Sequence, residues 1–369
     1  MDRRAFLKTS ATLPAAALPF WCVSASGQDR SFDPRPGEWR TFEITTRIEV
    51  AKPAGVTRVW LPVPSVNSEY QRTADNQWSG NARTMRLVGD GKYGSSMLYA
   101  EFAETETKPV VELMSRFQTQ NRSTDWSRKS PMNEDPATLK FWTASTELMP
   151  TDGIVRQTAL DATKGKRTDV EKAQALYDWI LANTYREPTV RGCGVGDIKA
   201  MLETKNFGGK CGDINALFVG LARSVGIPSR DVYGIRMAPS AFGYKALSGN
   251  SENLTGAQHC RAEVFLKDYG WVGMDPADVG KVMREETSEW IKTTSHPVVA
   301  PVKPKLFGGW EGNWLAFNTA HDVALPNAAK GGRLGFFMYP QCETAEGRKD
   351  PLDPNNFKYV ISGREIKGA

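Results

Sequence analysis

The run NFGGKCGDINALFVGLARSVGIPSR, residues 206–230, constrains the fold of this chain more than any other stretch. Within it Ile214, Leu217, Phe218, Leu221, Ala222 and Val225 recur every three or four positions, the spacing of one face of an α-helix. Gly226-Ile227-Pro228 ends that helix, because glycine readily closes a helix and proline has no N–H to continue one. Cys211 therefore falls at the first turn, where unpaired N–H groups and the positive end of the helix dipole favour a thiolate. The commoner fate of a free cysteine is to fill space as a small buried residue, so position alone does not make Cys211 a nucleophile.

Two strand-like runs follow. His259, Arg261, Glu263 and Phe265 alternate with Cys260, Ala262, Val264 and Leu266, and the second set is the one that suits a core. Cys260 is thus expected to point away from the side that carries His259. A turn around residues 267–270 returns the chain as Trp271-Val272-Gly273-Met274-Asp275-Pro276, which brings Asp275 back near the height of His259. A slip of one residue in register would separate the two side chains. A nucleophilic thiol needs a base, and the base needs a group to orient it. The chain has three histidines, His259, His296 and His321; His259 is the candidate base and His321 its rival. Singly, a strand histidine and an Asp-Pro turn have ordinary structural explanations. In sequence with Cys211 they make a thiol, an imidazole and a carboxylate in a chemically meaningful order.

Those same residues carry a family likeness. GGKCGDINALFVGLARSVGIPSRDVYGIR, followed by HCRAEVFLKDYGWVGMDPAD, resembles the transglutaminase-like core of the papain-like cysteine enzymes. The matching elements are Cys211, Gly226-Ile227-Pro228, His259 with Glu263, and Gly270-Trp271-Val272 with Asp275-Pro276, within residues 165–280. The resemblance implies an α+β fold in which a helix carrying Cys211 packs on an antiparallel sheet carrying His259 and Asp275, preceded by an antiparallel β-sandwich. It implies that Cys211 attacks a peptide or glutamine-type amide, that His259 protonates the leaving amine, and that Asp275 orients His259. The thioester so formed goes to water (protease or amidase chemistry) or to an amine (transamidation). Candidate oxyanion donors beside the Cys211 N–H are the side-chain amides of Asn206 and Gln258. Gly209 and Arg261 are candidate substrate contacts, although glycine also serves a turn and Arg261 is expected to pair with Glu263 or Asp275. Arg261 stands where the family commonly has an aromatic residue, which leaves the substrate class open. No cofactor and no metal ligand set is expected.

The rest of the chain divides by pattern. Residues 1–27, with Arg3-Arg4 and a mildly apolar stretch ending in small residues, resemble a twin-arginine signal peptide. The twin-arginine export machinery is then a partner of the precursor, and the mature protein is periplasmic or secreted with no membrane anchor. Residues 28–140 read as the sandwich: Phe42, Ile44, Thr46, Ile48 and Val50 alternate with polar residues, and further extended runs lie at 57–64, 97–104 and 110–120. Residues 141–300 form the catalytic core, in which Thr168-x-x-Glu171 is a capping-box pattern that opens a helix. Residues 301–369 form a C-terminal extension that packs on the core, with Trp310, Trp314 and His321-Asp322 placed to cover the site.

Composition limits the partners. The chain carries 47 Lys and Arg against 42 Asp and Glu; without Arg3, Arg4, Lys8 and Asp2 the balance is 44 to 41, a net charge of +3. That gives no electrostatic case for nucleic acid. The expected partner is a protein or peptide substrate, with cell-wall peptide as one exported source. Cys193, Cys211, Cys260 and Cys342 are too few and too scattered for a disulfide scaffold or a zinc-finger spacing. The reading from a different class is a non-catalytic periplasmic binding or scaffold protein with a vestigial triad.

Overall fold

A computed structural model of the chain describes residues 30–367; the signal-like segment at residues 1–27 lies outside them. The first six strands are β1 (Arg40–Glu49), β2 (Thr57–Val63), β3 (Gln71–Gly80), β4 (Thr84–Gly89), β5 (Ser96–Phe102) and β6 (Val110–Thr119). Five helices follow: α1 (Pro136–Phe141), α2 (Gly153–Ala162), α3 (Asp169–Asn183), α4 (Ile198–Thr204) and α5 (Cys211–Ser224). Then come β7 (Ser229–Arg236), β8 (Gln258–Leu266), β9 (Gly270–Met274), α6 (Pro276–Glu285), β10 (Trp314–Asn318), β11 (Gln341–Thr344) and β12 (Lys358–Ile366). The expected capping box at α3 is present: the Thr168 hydroxyl accepts from the Glu171 N–H, and the Glu171 carboxylate accepts from the Thr168 N–H.

Two antiparallel sheets make the sandwich, in orders β12-β1-β6-β3 and β11-β2-β5-β4, the second extended by the short strand Gly347–Arg348. The alternation read in β1 holds, with Phe42, Ile44 and Ile48 buried against Val59, Leu61, Leu98 and Phe102 of the facing sheet. Residues 301–369 do not form a unit of their own on the core. Their strands separate: β10 joins a sheet beside β7, whereas β11 pairs with β2 and β12 with β1. The Cys342 side chain therefore lies in the sandwich core. Returning strands of this kind carry no local signal, since any alternating segment can complete either sheet.

The third sheet, β9-β8-β7-β10, is antiparallel throughout and holds the site. Helix α5 packs on β7 and β8 and is surrounded by α2, α3, α4 and α6. The amphipathic pattern predicts one buried face, yet all fourteen residues of α5 are buried. Its buried polar residues find partners, as burial of such groups requires, with one Nη of Arg223 left unpaired. Asn215 donates to the Cys260 carbonyl at 2.9 Å, and Arg223 donates to the carbonyls of Ser229 at 2.8 Å and Ala144 at 3.0 Å. Asp213 accepts from three backbone N–H groups.

Candidate active site

Asp213 explains how a cysteine comes to face the start of α5 from a neighbouring loop. Its carboxylate accepts from Val195 N–H at 2.8 Å, Gly196 N–H at 2.9 Å and Lys210 N–H at 3.0 Å. The loop RGCGVGD can wrap that carboxylate because Gly194 has φ +92°, and a Cβ there would fall 1.8 Å from Asp213 Oδ2. So held, the loop offers the Cys193 carbonyl to the Gly212 N–H at 2.8 Å. The Cys193 thiol then lies beside Cys211 and donates to the Gln258 carbonyl at 3.3 Å.

Cys260 follows the expected alternation and faces the core with Ala262 and Val264. That core face is the one α5 covers, so Cys260 Sγ lies 3.7 Å from Cys211 Sγ. Far from pointing out of the site, Cys260 completes a group of three thiols, with Cys193, Cys211 and Cys260 sulfurs all within 4.8 Å of one another. The Cys211 thiol is held well below its ordinary pKa, by the hydrogen bonds from Cys193 and Cys260 first and then by the charge and hydrogen bond of His259, which together outweigh burial. Burial pushes the Cys260 thiol well up, and its two sulfur neighbours add to the rise. One thiolate is therefore favoured in the group, at Cys211.

The β8–β9 hairpin fixes the imidazole. Ala262 faces Met274 and Leu266 faces Gly270, so Asp275 returns at the height of Arg261, one position along the same face from His259. From there its Oδ2 accepts from His259 Nε2 at 2.8 Å and lies 3.3 Å from Arg261 Nε. Asp275 also caps α6, accepting from Asp278 N–H at 3.0 Å. The strand itself is anchored by Trp314, whose indole N–H donates to the His259 carbonyl at 3.0 Å.

A second carboxylate shares the imidazole. Asp278 Oδ1 lies 3.3 Å from His259 Nε2 and is bound by the guanidinium of Arg236. Burial works against its charge, but Arg236 holds it well below the usual carboxylate range. Asp275 is pushed up, by burial first and then by the charge on Asp278. For His259, burial favours the neutral ring, yet Asp278, Asp275 and the Cys211 thiolate outweigh burial and Arg236 and raise it from 6.5 to about 9. A thiolate beside an imidazolium is the charge state this surrounding supports.

Cys211, His259, Gln258 and Cys193 open onto one cavity of about 510 Å³. The Gln258 side-chain Nε2 is buried there with no hydrogen-bond partner, an unsatisfied donor of the kind an oxyanion uses. The Cys211 N–H, first of the helix, likewise takes no protein acceptor among the described residues. Asn206 does not line the cavity; its Oδ1 accepts from the Gly208 N–H at 3.4 Å in a turn. Gly209 and Arg261 do not line it either. A Cβ on Gly209 would fall 2.7 Å from Asp213 Cβ, so its lack of a side chain serves the Asp213 clasp. Arg261 is buried between Trp310 and Trp314 and paired with Asp275, out of reach of substrate. Both tryptophans are buried behind His259 and do not cover the cavity, and His321 is enclosed with Tyr233, its Nδ1 3.1 Å from the phenol oxygen.

Two sets of side chains have the make-up of metal ligands, the three thiols and His259 with Asp275 and Asp278. In the second set the carboxylate charges are already met by Arg236 and Arg261. Two residues of the site escape a reading by motif. Cys193 lies eighteen positions before Cys211, and its only signal is its place among glycines. Asp278 lies three positions after Asp275, the spacing that sets both carboxylates on one side of a helix start.

Comparison with known proteins agrees with this core. The transglutaminase-like superfamily model matches residues 156–276, the span from α2 to the start of α6. A protein of Haemophilus influenzae described without a function is 33% identical over 344 residues, covering 88% of this chain and 91% of its own. The chain belongs to the transglutaminase-like superfamily. Solved structures similar to this transglutaminase-like protein include a candidate cysteine protease from Cytophaga hutchinsonii, at 14% identity and TM-score 0.49 over 89% of this chain and 99% of the other. The periplasmic domain of TgpA from Pseudomonas aeruginosa is similar at 13% identity and TM-score 0.35, over 76% of this chain and 100% of that domain. No helix of the described residues is long and apolar enough to cross a membrane.

Proposed function

We propose that this protein is an exported cysteine enzyme that forms a thioester with a peptide or glutamine-type amide. The observation that carries the reading is the buried His259–Asp275 pair beside Cys211, in one cavity with the unpartnered Gln258 amide. Cys211 thiolate attacks the carbonyl carbon, and the carbonyl oxygen takes the electron pair and meets the Cys211 N–H and Gln258 Nε2. His259 imidazolium gives its proton to the departing ammonia or amine as the C–N bond breaks. Asp275 keeps Nε2–H occupied, so the other ring nitrogen faces the reaction. Hydrolysis is the favoured second half, because an exported enzyme meets peptides, cell-wall peptides among them, in bulk water. Export itself rests on the Arg3-Arg4 segment, and Arg→Lys at both positions is expected to retain the precursor in the cytoplasm.

The test is the rate of iodoacetamide alkylation at Cys211 against pH, read by peptide mass spectrometry in the parent and in His259→Ala. Fast labelling that persists well below pH 8 and is slowed in the variant supports a His-stabilised thiolate. Ammonia release from glutamine peptides, with and without an added amine, then separates hydrolysis from transamidation. Slow labelling in both proteins, rising only near an ordinary thiol pKa, replaces this reading with that of a binding protein with a vestigial triad.

A further inference from the structure

Apart from the Cys211–His259 pair, the charged side chains that line the cavity are Arg186, Lys210, Arg236 and Lys281, and no Asp or Glu lines it. Their acidic neighbours stand off the cavity wall. Arg236 is spent on Asp278 and on the Leu247 carbonyl. Arg186 and Lys281 share a single carboxylate, Glu285, at 2.8 Å and 3.9 Å. Two acids lie near Lys210: Glu187 turns its carboxylate to the Thr189 N–H and hydroxyl and feels Arg284 as well as Lys210, and the Asp213 carboxylate is filled by the N–H groups of Val195, Gly196 and Lys210 itself. The cavity wall thus presents cations and no carboxylate, with lysines that project from the first turn and a half of α6 and from the residue just before α5.

Uncompensated cations cost free energy where water is scarce. Lys281 displays that cost: its side chain is only 20% exposed, and burial lowers its pKa from 10.5 to about 8. We propose that the acyl donor carries a carboxylate close to the amide that Cys211 attacks, and that Lys281 and Lys210 receive it. This rests on Cys211 being the nucleophile. It selects peptides with a free carboxylate within a residue or so of the scissile bond over neutral glutamine amides, and it gives Lys281 and Lys210 the role of specificity determinants.

The competing account is that these cations only support the Cys211 thiolate. Iodoacetate and iodoacetamide separate the two, since both alkylate through the same carbon with the same leaving group and differ only in carboxylate against amide. The readout is the ratio of their second-order rate constants at Cys211, referred to the same ratio for an uncharged cysteine peptide. In the parent at low salt a ratio about tenfold above the reference is expected. It should fall severalfold in Lys210→Met/Lys281→Met and, in the parent itself, as KCl is raised to displace the anion. A parent ratio at the reference value, insensitive to salt, overturns the proposal while leaving the thiolate reading intact. So does a raised ratio that the folded double variant retains, which would trace it to the remaining cations, His259, Arg186 and Arg236. Slow reaction of Cys211 with both reagents at every pH instead removes the nucleophile, and with it both readings. Folding of the variant is checked by its thermal transition, and the salt series in the parent stands if the variant does not fold.

Discussion

Replacing Asp275 by asparagine changes almost nothing in shape and turns one acceptor into a donor. The carbonyl oxygen of the new amide can keep the two contacts now made by Oδ1, from Asp278 N–H at 3.0 Å and Asn215 Nδ2 at 3.3 Å. Asparagine is also an acceptable helix cap, so α6 should still start at Pro276. The NH2 group then takes the place of Oδ2, 2.8 Å from His259 Nε2 and 3.3 Å from Arg261 Nε. Two donors meet there, and His259 must answer with a lone pair. Its proton moves to the nitrogen that faces the cavity, and the neutral ring can no longer accept from Cys211.

The magnitude follows from the titration of His259, raised from 6.5 to about 9. That rise corresponds to about 3 kcal/mol of preference for the imidazolium, shared among Asp278, Asp275 and the Cys211 thiolate. Because the folded value is the higher one, this stabilisation is full below 6.5 and is lost as pH rises through about 9. Asp275→Asn should bring the His259 midpoint down by at least a unit, flatten that part of the stability profile, and lower kcat by about 10³–10⁴-fold. Three histidines make the assay simple: ring C–H resonances followed against pH, with His259 assigned by its loss in His259→Gln. The distances favour Asp275 as the orienting partner, whereas by charge Asp278 has the larger influence. Geometry should decide the tautomer, since only a hydrogen bond discriminates between ring nitrogens. An Asp275→Asn protein whose His259 still titrates near 9 would refute this and make Asp278 sufficient.

Three further outcomes are expected. Gln258→Leu should lower kcat by about 10²–10³-fold through loss of an oxyanion donor, while the pH midpoint of Cys211 alkylation stays in place because no charge is removed. Asp231 is buried with neither carboxylate oxygen hydrogen-bonded, and burial raises it from 3.8 to about 7; its native state therefore holds a proton that the unfolded chain releases, and stability falls as pH rises from about 4 through 7. Asp231→Asn should remove that fall and raise stability at pH 8 by up to about 4 kcal/mol, measured by urea unfolding at pH 5 and pH 8. Gly194→Ala puts a methyl group on Asp213 at a positive φ and should cost about 3 kcal/mol or more, seen as a lower Tm together with slower alkylation of Cys211 as the Cys193 loop moves.

How much of this was legible in the chain depends on the range of the interactions. The helix start at Cys211, its end at Gly226-Ile227-Pro228 and the capping box at Thr168 are decided by neighbours three or four residues away, and they read directly. The meeting of His259 with Asp275 hung on the register of one hairpin, and the chain resolves it by setting Asp275 opposite Arg261 on the shared face. Arg261 accordingly became a buried partner of Asp275, as its charge allowed, and not a substrate contact. Strand alternation correctly set Cys260 on the core face but said nothing of which helix covers that face. Cys193 reached the site through the Asp213 clasp, a link between a loop and a helix that no periodicity records. Arg122, just past the last extended run read in the sandwich, is buried and bound to Glu263 because a distant strand supplies the acid. Polar residues that look like solvent-facing loop from composition are recovered for the core whenever such a partner exists.

The charges around His259 account for why the site tolerates so much burial. Asp275 and Asp278 are matched by Arg261 and Arg236, and the thiolate of Cys211 is matched by the imidazolium of His259. Moving the proton from imidazolium to thiolate leaves the total unchanged. Adding a proton from solvent, or removing one, does not, and in a buried network an unbalanced charge is the expensive state. The arrangement therefore resists the doubly protonated pair on the acid side and the doubly deprotonated pair on the alkaline side, while leaving transfer within the pair free. That is the property a general acid and its nucleophile need if the same proton is to be given to a leaving amine and recovered from water in each turnover. Lys210 and Lys281 lie outside this balanced set, on a cavity wall without a carboxylate, where a substrate can supply one.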